Sequence, residues 1–261
     1  MREQDDGTLL SRAADLYDRA ESGEVVYTHF LTPREQKVVL GKYAFARDRM
    51  RFLGGYTEAE RRRVYMLPPY MVELDDDMRD AILSDTLADT LVALSVTGSG
   101  YRELAHRDFL GAVLHLGIER DAIGDILALS PFEAVLFSDR LMADFLKENL
   151  TRVASDAVKV KEITLPPDFD GGRKFIPCSD TVASPRGDAV VAALCNLSRD
   201  RAQALFVGGL VEIDYEPTEK YDREVLAGAV ITVRGYGKFI VRSLSDKTKK
   251  GRLRLLADRY V

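Results

Sequence analysis

The sequence predicts an α+β protein built in three parts, and three observations carry that reading. Apolar residues recur at helical spacing in several short stretches. Strand-like runs are interspersed with them, and paired Gly or Pro residues punctuate the chain. The predicted parts are an N-terminal α/β domain over 1–75, a middle domain over 76–165 and a C-terminal domain over 181–261, with 166–180 as a linker. At 261 residues, 46% hydrophobic and 30% charged, the chain has room for two or three small soluble domains.

No apolar run is long enough for a membrane-spanning helix. The opening Met1-Arg2-Glu3-Gln4-Asp5-Asp6 lacks the apolar core of a secretory signal. Cys178 and Cys195 are too few for a disulfide scaffold, so reduced thiols and a cytoplasmic location are expected.

In the first part, Leu9, Leu10, Ala13, Leu16 and Tyr17 give residues 8–20 a helical period. Thr32-Pro33-Arg34-Glu35 opens a second helix, with Thr32 as N-cap, Pro33 at the first helical position and Glu35 in a capping box. Gly54-Gly55 ends a short strand. Thr57 is placed to cap a helix carrying Arg61, Arg62 and Arg63 on its surface, which Pro68-Pro69 stops. Asp75-Asp76-Asp77 reads as a solvated boundary, since consecutive carboxylates splay apart.

The middle part opens on an apolar, β-branched run over 87–97. A helix over 106–116 follows, through Phe109, Leu110, Val113, Leu114 and Leu116, closed by Gly117. Short strands at Ile126–Leu129 and Ala134–Phe137 flank Ser130-Pro131; a helix over 139–154 and a strand at Val158–Leu165 complete it. Strand, helix, strand, strand, helix, strand is the split βαβ order of ferredoxin-like folds. RNA-recognition modules share that order with many unrelated domains, and these strands lack interleaved aromatics for base stacking.

Pro166-Pro167, Gly171-Gly172 and Pro177 mark the linker. Beyond it, Val190, Val191, Ala193 and Leu194 form a short apolar helix. Ser198 caps a second, and Gly208-Gly209 ends it through a left-handed position. Strand-like Leu210–Tyr215 and Ala229–Arg234 follow, the second leading into Gly235-Tyr236-Gly237-Lys238.

Charge is divided unevenly. Residues 181–261 hold 14 Lys/Arg against 10 Asp/Glu, and from Arg234 onward 9 against 2, although the whole chain carries −5. The asymmetry fits a basic binding surface on an acidic body; a solvated basic face would have the same composition.

Residues 186–233 resemble the alpha-L, or S-four, RNA-binding domain. The matching features are Arg186-x-Asp188, Ser198-Arg199, Ala202, Gly209-x-Val211, Gly228 and Ile231-x-Val233. The resemblance implies that Arg186, Arg199 and Arg201, at the starts of the two helices, face RNA. Guanidinium forks suit phosphate, and a helix start favours anions. Gly187 departs from the usual leucine, Glu212 from a common basic residue and Asp214 from the usual asparagine.

The likeness extends over nearly the whole chain. Phe30-Leu31-Thr32-Pro33-Arg34-Glu35-Gln36, Phe52-Leu53-Gly54-Gly55-Tyr56, Leu67-Pro68-Pro69-Tyr70, His106-Arg107-Asp108-Phe109-Leu110-Gly111, Gly124-Asp125-Ile126-Leu127 and Arg234-Gly235-Tyr236-Gly237-Lys238 are similar to the YlmH-type family. That resemblance implies a non-catalytic bacterial RNA-binding protein. Its partners would be large-subunit rRNA, tRNA and the large ribosomal subunit carrying an obstructed peptidyl-tRNA, in ribosome-associated quality control. The alternative it leaves is a cell-division factor that binds division proteins. The expected RNA-binding residues are Arg186, Arg199, Arg201, Arg234, Tyr236, Lys238, Lys247, Lys249, Lys250, Arg252 and Arg254. Further candidate contacts are Arg61, Arg62, Arg63, His106 and Arg107.

No metal or cofactor is expected. His106 and His115 stand nine apart, which is not ligand spacing, and Gly235-Tyr236-Gly237 is too short for a nucleotide loop. His106-Arg107-Asp108 has no nucleophile in frame, and the catalytic signatures of S-four-bearing pseudouridine synthases and tRNA synthetases are absent.

Overall fold

The computed structural model describes residues 2–172, 175–247 and 251–260, with the side chains of 2–5 and 246–247 excepted. The chain divides into two compact units, 1–172 and 173–261. The spans 1–75 and 76–165 fall within the first.

Unit 1 begins with α1 (Arg2–Glu21), β1 (Val26–Tyr27) and α2 (Pro33–Lys42). The capping box forms: the Thr32 hydroxyl accepts from the Glu35 amide, and the Thr32 amide donates to Glu35 Oε2 at 2.7 Å. β2 (Met50–Leu53) and β3 (Arg63–Met66) complete a small antiparallel sheet in the order β1-β3-β2. The helix expected to carry Arg61–Arg63 is absent. β3 is a fully buried central strand, and its demand for burial on both faces outweighs any cap at Thr57.

The three aspartates are exposed, but they start a helix and do not form a linker. Asp75 caps α3 (Asp76–Thr90), accepting from the Met78 amide at 2.8 Å, while Asp76 and Asp77 occupy the first turn, where negative charge is favourable. The apolar run read over 87–97 therefore divides between the end of α3 and β4 (Val92–Gly98).

After β4 come α4 (His106–His115), β5 (Ile126–Ser130), β6 (Glu133–Ser138), α5 (Arg140–Asn149), β7 (Arg152–Val153) and β8 (Asp156–Ile163). Their sheet is antiparallel in the order β5-β6-β4-β8-β7. Phe109, Val113, Ala143 and Leu146 of α4 and α5 bury one sheet face through Leu94, Val96 and Leu136. The other face carries Ala93, Val135 and Phe137, and the N-terminal segment lies on it with Phe30 and Tyr56. Tyr56 stacks on Phe137 with centroids 5.3 Å apart and meets Phe169 edge-on at 5.8 Å. This shared core makes 1–172 one unit.

Unit 2 opens with β9 (Phe175–Val182), so residues 175–180, read as linker, are strand. Pro177 does not interrupt the strand. β9 is an edge strand of the six-stranded sheet β11-β10-β12-β13-β14-β9, where a proline costs no ladder bond. The remaining elements are α6 (Gly187–Cys195), α7 (Arg199–Val207), β10 (Val211–Ile213), β11 (Glu216–Pro217), β12 (Val230–Val233), β13 (Gly237–Lys247) and β14 (Leu253–Tyr260). Asp214 and Tyr215 belong to a two-residue hairpin turn, both at left-handed φ (55° and 66°). The Asp214 carboxylate accepts the Val230 amide at 3.0 Å, which fits an Asx-type residue at this position.

The helices pack on one sheet face. Val190, Val191, Ala202 and Phe206 meet Val211, Ile213, Ile231, Val233, Val241, Leu255 and Ala257 in a single core. Strand alternation turns Glu212, Thr232, Lys238, Arg242, Arg254, Asp258 and Tyr260 to the face without helices. The departure at Gly187 has a steric reason: a Cβ there would lie 2.9 Å from Phe206 Cζ and 3.2 Å from the Tyr221 carbonyl oxygen.

Candidate nucleic-acid interface

The starts of α6 and α7 meet at one carboxylate. Asp188, in the first turn of α6, is fully buried and accepts from Gln203 Nε2 at 2.7 Å, Arg199 Nη2 at 2.9 Å and Arg186 Nε at 3.2 Å. Burial alone would raise its pKa. The hydrogen bonds from Gln203, Arg186 and Arg199 more than reverse that and hold it at about 2. Arg186 and Arg199 each anchor an edge of the guanidinium on Asp188, yet their side chains remain 40% and 52% exposed. Two forks are thus fixed beside two helix N-termini, with donors left over for an anion. Arg186 also lies over the Tyr221 ring, 5.7 Å from its centroid. Ser198 caps α7 by accepting the Arg201 amide. The Arg201 side chain is exposed and forms no hydrogen bond or ion pair within the described residues.

The expected residues beyond α7 lie on other elements of unit 2. Arg234 and Tyr236 are exposed in the β12–β13 hairpin, which turns through Gly235 at φ 87°. Lys238 is on the helix-free sheet face, with Nζ 4.8 Å and 4.9 Å from the Tyr215 and Tyr260 ring centroids. Arg254 is exposed on that same face. Arg252 donates to the Thr181 carbonyl at 2.5 Å. Lys249 and Lys250 lie outside the described residues, and Lys247 is described only as the last residue of β13.

In unit 1 the three consecutive arginines do structural work. Arg63 is 4% exposed; its guanidinium lies over Phe30 (4.5 Å) and Tyr27 (5.1 Å) and pairs with Asp139 at 3.0 Å. Arg61 donates to the carbonyls of Phe30 (2.9 Å), Ile123 (3.3 Å) and Arg120 (3.3 Å), and burial lowers its pKa. Arg62 bonds its own loop at the Ala59 and Thr57 carbonyls. The chain's own carbonyls and Asp139 thus engage all three guanidinium groups, with Arg63 buried and Arg61 and Arg62 half-buried. Asp125 completes the junction by accepting from the Glu60 and Arg61 amides (2.7 and 3.1 Å) and the Tyr56 hydroxyl (2.8 Å).

Gly54-Gly55-Tyr56 serves this packing as well. A Cβ on Gly55 would fall 2.3 Å from the Phe137 ring, at a φ of +94° that L side chains rarely adopt.

His106 and Arg107 are exposed at the start of α4, where Asp108 accepts the Ala105 amide at 2.8 Å. Arg107 also lines a cleft of about 520 Å³ with His115 and Arg152. Among the described residues no group of three His, Cys, Asp or Glu is placed to hold a metal ion, and no helix is long and apolar enough to cross a membrane.

The fold and this site define an α+β protein that presents exposed, pre-set guanidinium groups at paired helix starts. Residues 91–166, from the start of β4 to just past β8, match the family model described as "Putative RNA-binding domain in YlmH". The chain is 31% identical over 236 residues to the Bacillus subtilis (strain 168) protein named ribosome-associated protein quality control protein P2, a match spanning 89% of this chain and 86% of that one. The chain belongs to the YlmH family. A solved structure titled cell division protein ylmH from Streptococcus pneumoniae is 21% identical, with a TM-score of 0.46 over 61% of this chain and 92% of that one.

Proposed function

We propose that this chain is a non-catalytic, cytoplasmic RNA-binding protein of ribosome-associated quality control, acting on large ribosomal subunits obstructed by peptidyl-tRNA. The observation that carries the reading is the Asp188 cluster, which holds Arg186 and Arg199 half-exposed at two helix starts, with Arg201 exposed two residues further along α7. Such groups bind phosphate without selecting sequence. Family membership and the quality-control relative supply the ribosomal context.

In this reading the C-terminal unit is an alpha-L domain that grips structured rRNA, with Arg234 and Tyr236 on its hairpin extending the contact. The β4–β8 sheet is a ferredoxin-like module, and it confers preference for the obstructed subunit. It does so by another route than base stacking on its sheet, since Phe30 and Tyr56 lie against Phe137 there. The exposed His106 and Arg107 are the proposed contacts. Selecting one assembly among many RNAs requires contacts beyond phosphate neutralisation.

The experiment is gradient sedimentation of the purified full chain with empty and with peptidyl-tRNA-loaded large subunits. Co-migration, stronger with the loaded subunits, is expected. Protein that stays at the top of both gradients contradicts the proposal and favours a division-protein partner.

A further inference from the structure

We propose that the helix-free face of the C-terminal sheet is a second RNA-binding site, taking an unstacked base of single-stranded RNA on the guanidinium plane of Arg242. The site lies on the sheet face opposite the α6–α7 helices and uses none of the residues assigned to that surface.

Its parts are built around Arg242 of β13. The guanidinium lies over the Phe175 ring, with Cζ 5.4 Å from the centroid. Asp258 accepts from its Nε at 2.7 Å and fixes its orientation. Phe175 in turn meets Tyr260 edge-on, centroids 5.0 Å apart. Aromatic support on one side and a carboxylate at one edge leave the side chain 49% exposed. A guanidinium plane of this kind stacks on a nucleobase as an aromatic ring does.

Charge on the same face selects the occupant. Lys238 stands two alternate positions before Arg242, roughly 13 Å away along the strand, and its ammonium is held against Tyr215 and Tyr260. Arg254 adds a third cation from β14, against Asp258 and Glu212. Cations flanking a stacking plane suit a base with its neighbouring phosphates. An acidic peptide would meet the cations but gain nothing from the plane. A duplex, whose bases are already stacked, has no free base face to offer.

The test uses the full chain and two probes: a single-stranded RNA of about eight nucleotides carrying one 2-aminopurine, and a stable RNA hairpin. Arg242→Lys keeps the charge and removes the plane; Phe175→Leu keeps the apolar bulk and removes the ring beneath it. With melting temperature unchanged, each variant is expected to bind the single strand about tenfold more weakly, lose the 2-aminopurine fluorescence change and bind the hairpin within about twofold of wild type. Arg201→Ala should show the converse. Wild-type single-strand affinity in both variants, or an equal loss on both probes, overturns this second site. Failure of the hairpin to bind any form of the protein would instead overturn the helix-start surface.

Discussion

Arg199 Nη2 and Asp188 Oδ2 lie 2.9 Å apart across eleven residues of chain, tying the first turn of α7 to the first turn of α6. The contact gives Arg199 two tasks, since the fork that faces solvent also holds the helix pair in register. Arg201, two residues on, has only the solvent-facing task.

Arg201→Ala and Arg199→Ala should therefore differ. The first is expected to weaken binding to structured RNA by about 1–2 kcal/mol with the melting temperature unchanged. The second should lower both affinity and melting temperature, because it removes one of the partners of a buried carboxylate. Paired titrations and thermal melts check this; equal effects of the two variants on stability would remove the distinction.

Asp188→Asn keeps the shape and removes the charge on which two guanidinium groups converge. It is expected to destabilise unit 2 by about 2–3 kcal/mol and to loosen the orientation of Arg186 and Arg199. Chemical denaturation followed by a probe in unit 2 measures the first effect.

Acid should act on the same group. The Asp188 pKa is about 2 in the folded protein against 3.8 for a free carboxylate. Its contribution is thus fully present above about pH 4 and is lost as pH falls through about 2, amounting to about 2 kcal/mol. Unit 2 of Asp188→Asn should accordingly lose less stability across that window than wild type, which denaturation curves at stepped pH will show.

Gly55→Ala places a Cβ against the Phe137 ring at a positive φ. The expected cost is about 2–4 kcal/mol of unit 1 stability, with little change in affinity for an RNA hairpin. A melt of the variant beside a hairpin titration separates the two readouts.

Burial pushes the Cys195 thiol up to about 11. At pH 8 only about one molecule in a thousand then carries the thiolate, so alkylation of Cys195 by iodoacetamide should be far slower than that of a model thiol. Mass spectrometry of timed samples gives the rate.

Much of the architecture was legible wherever local chemistry fixes it. Thr32 and Ser198 are sequence-visible caps, Gly117 and Gly209 end helices at left-handed φ, and the order of elements from β4 to β8 follows hydrophobic period. Other features depend on distant partners. Asp75-Asp76-Asp77 looked like solvated linker because α3 has weak amphipathic spacing, and Pro177 looked like a breaker because an edge position leaves no local mark. The site divides in the same way. Motif and charge single out Arg186 and Arg199, which converge on Asp188. The burial of Arg61 and Arg63 rests on Phe30, Arg120, Ile123 and Asp139, up to seventy-six residues away, which no local window contains. Nothing local singles out Arg242, because Phe175, which lies beneath its guanidinium, is on a strand far from it in the chain.

The salt dependence of affinity for a large-subunit rRNA hairpin tests the central claim most directly, measured for wild type and for Arg201→Ala. Binding through phosphate contacts at the helix starts predicts a log–log slope of several units for wild type, reduced by about one in the variant. A nearly flat slope, or one the variant leaves unchanged while affinity also stays the same, would contradict it.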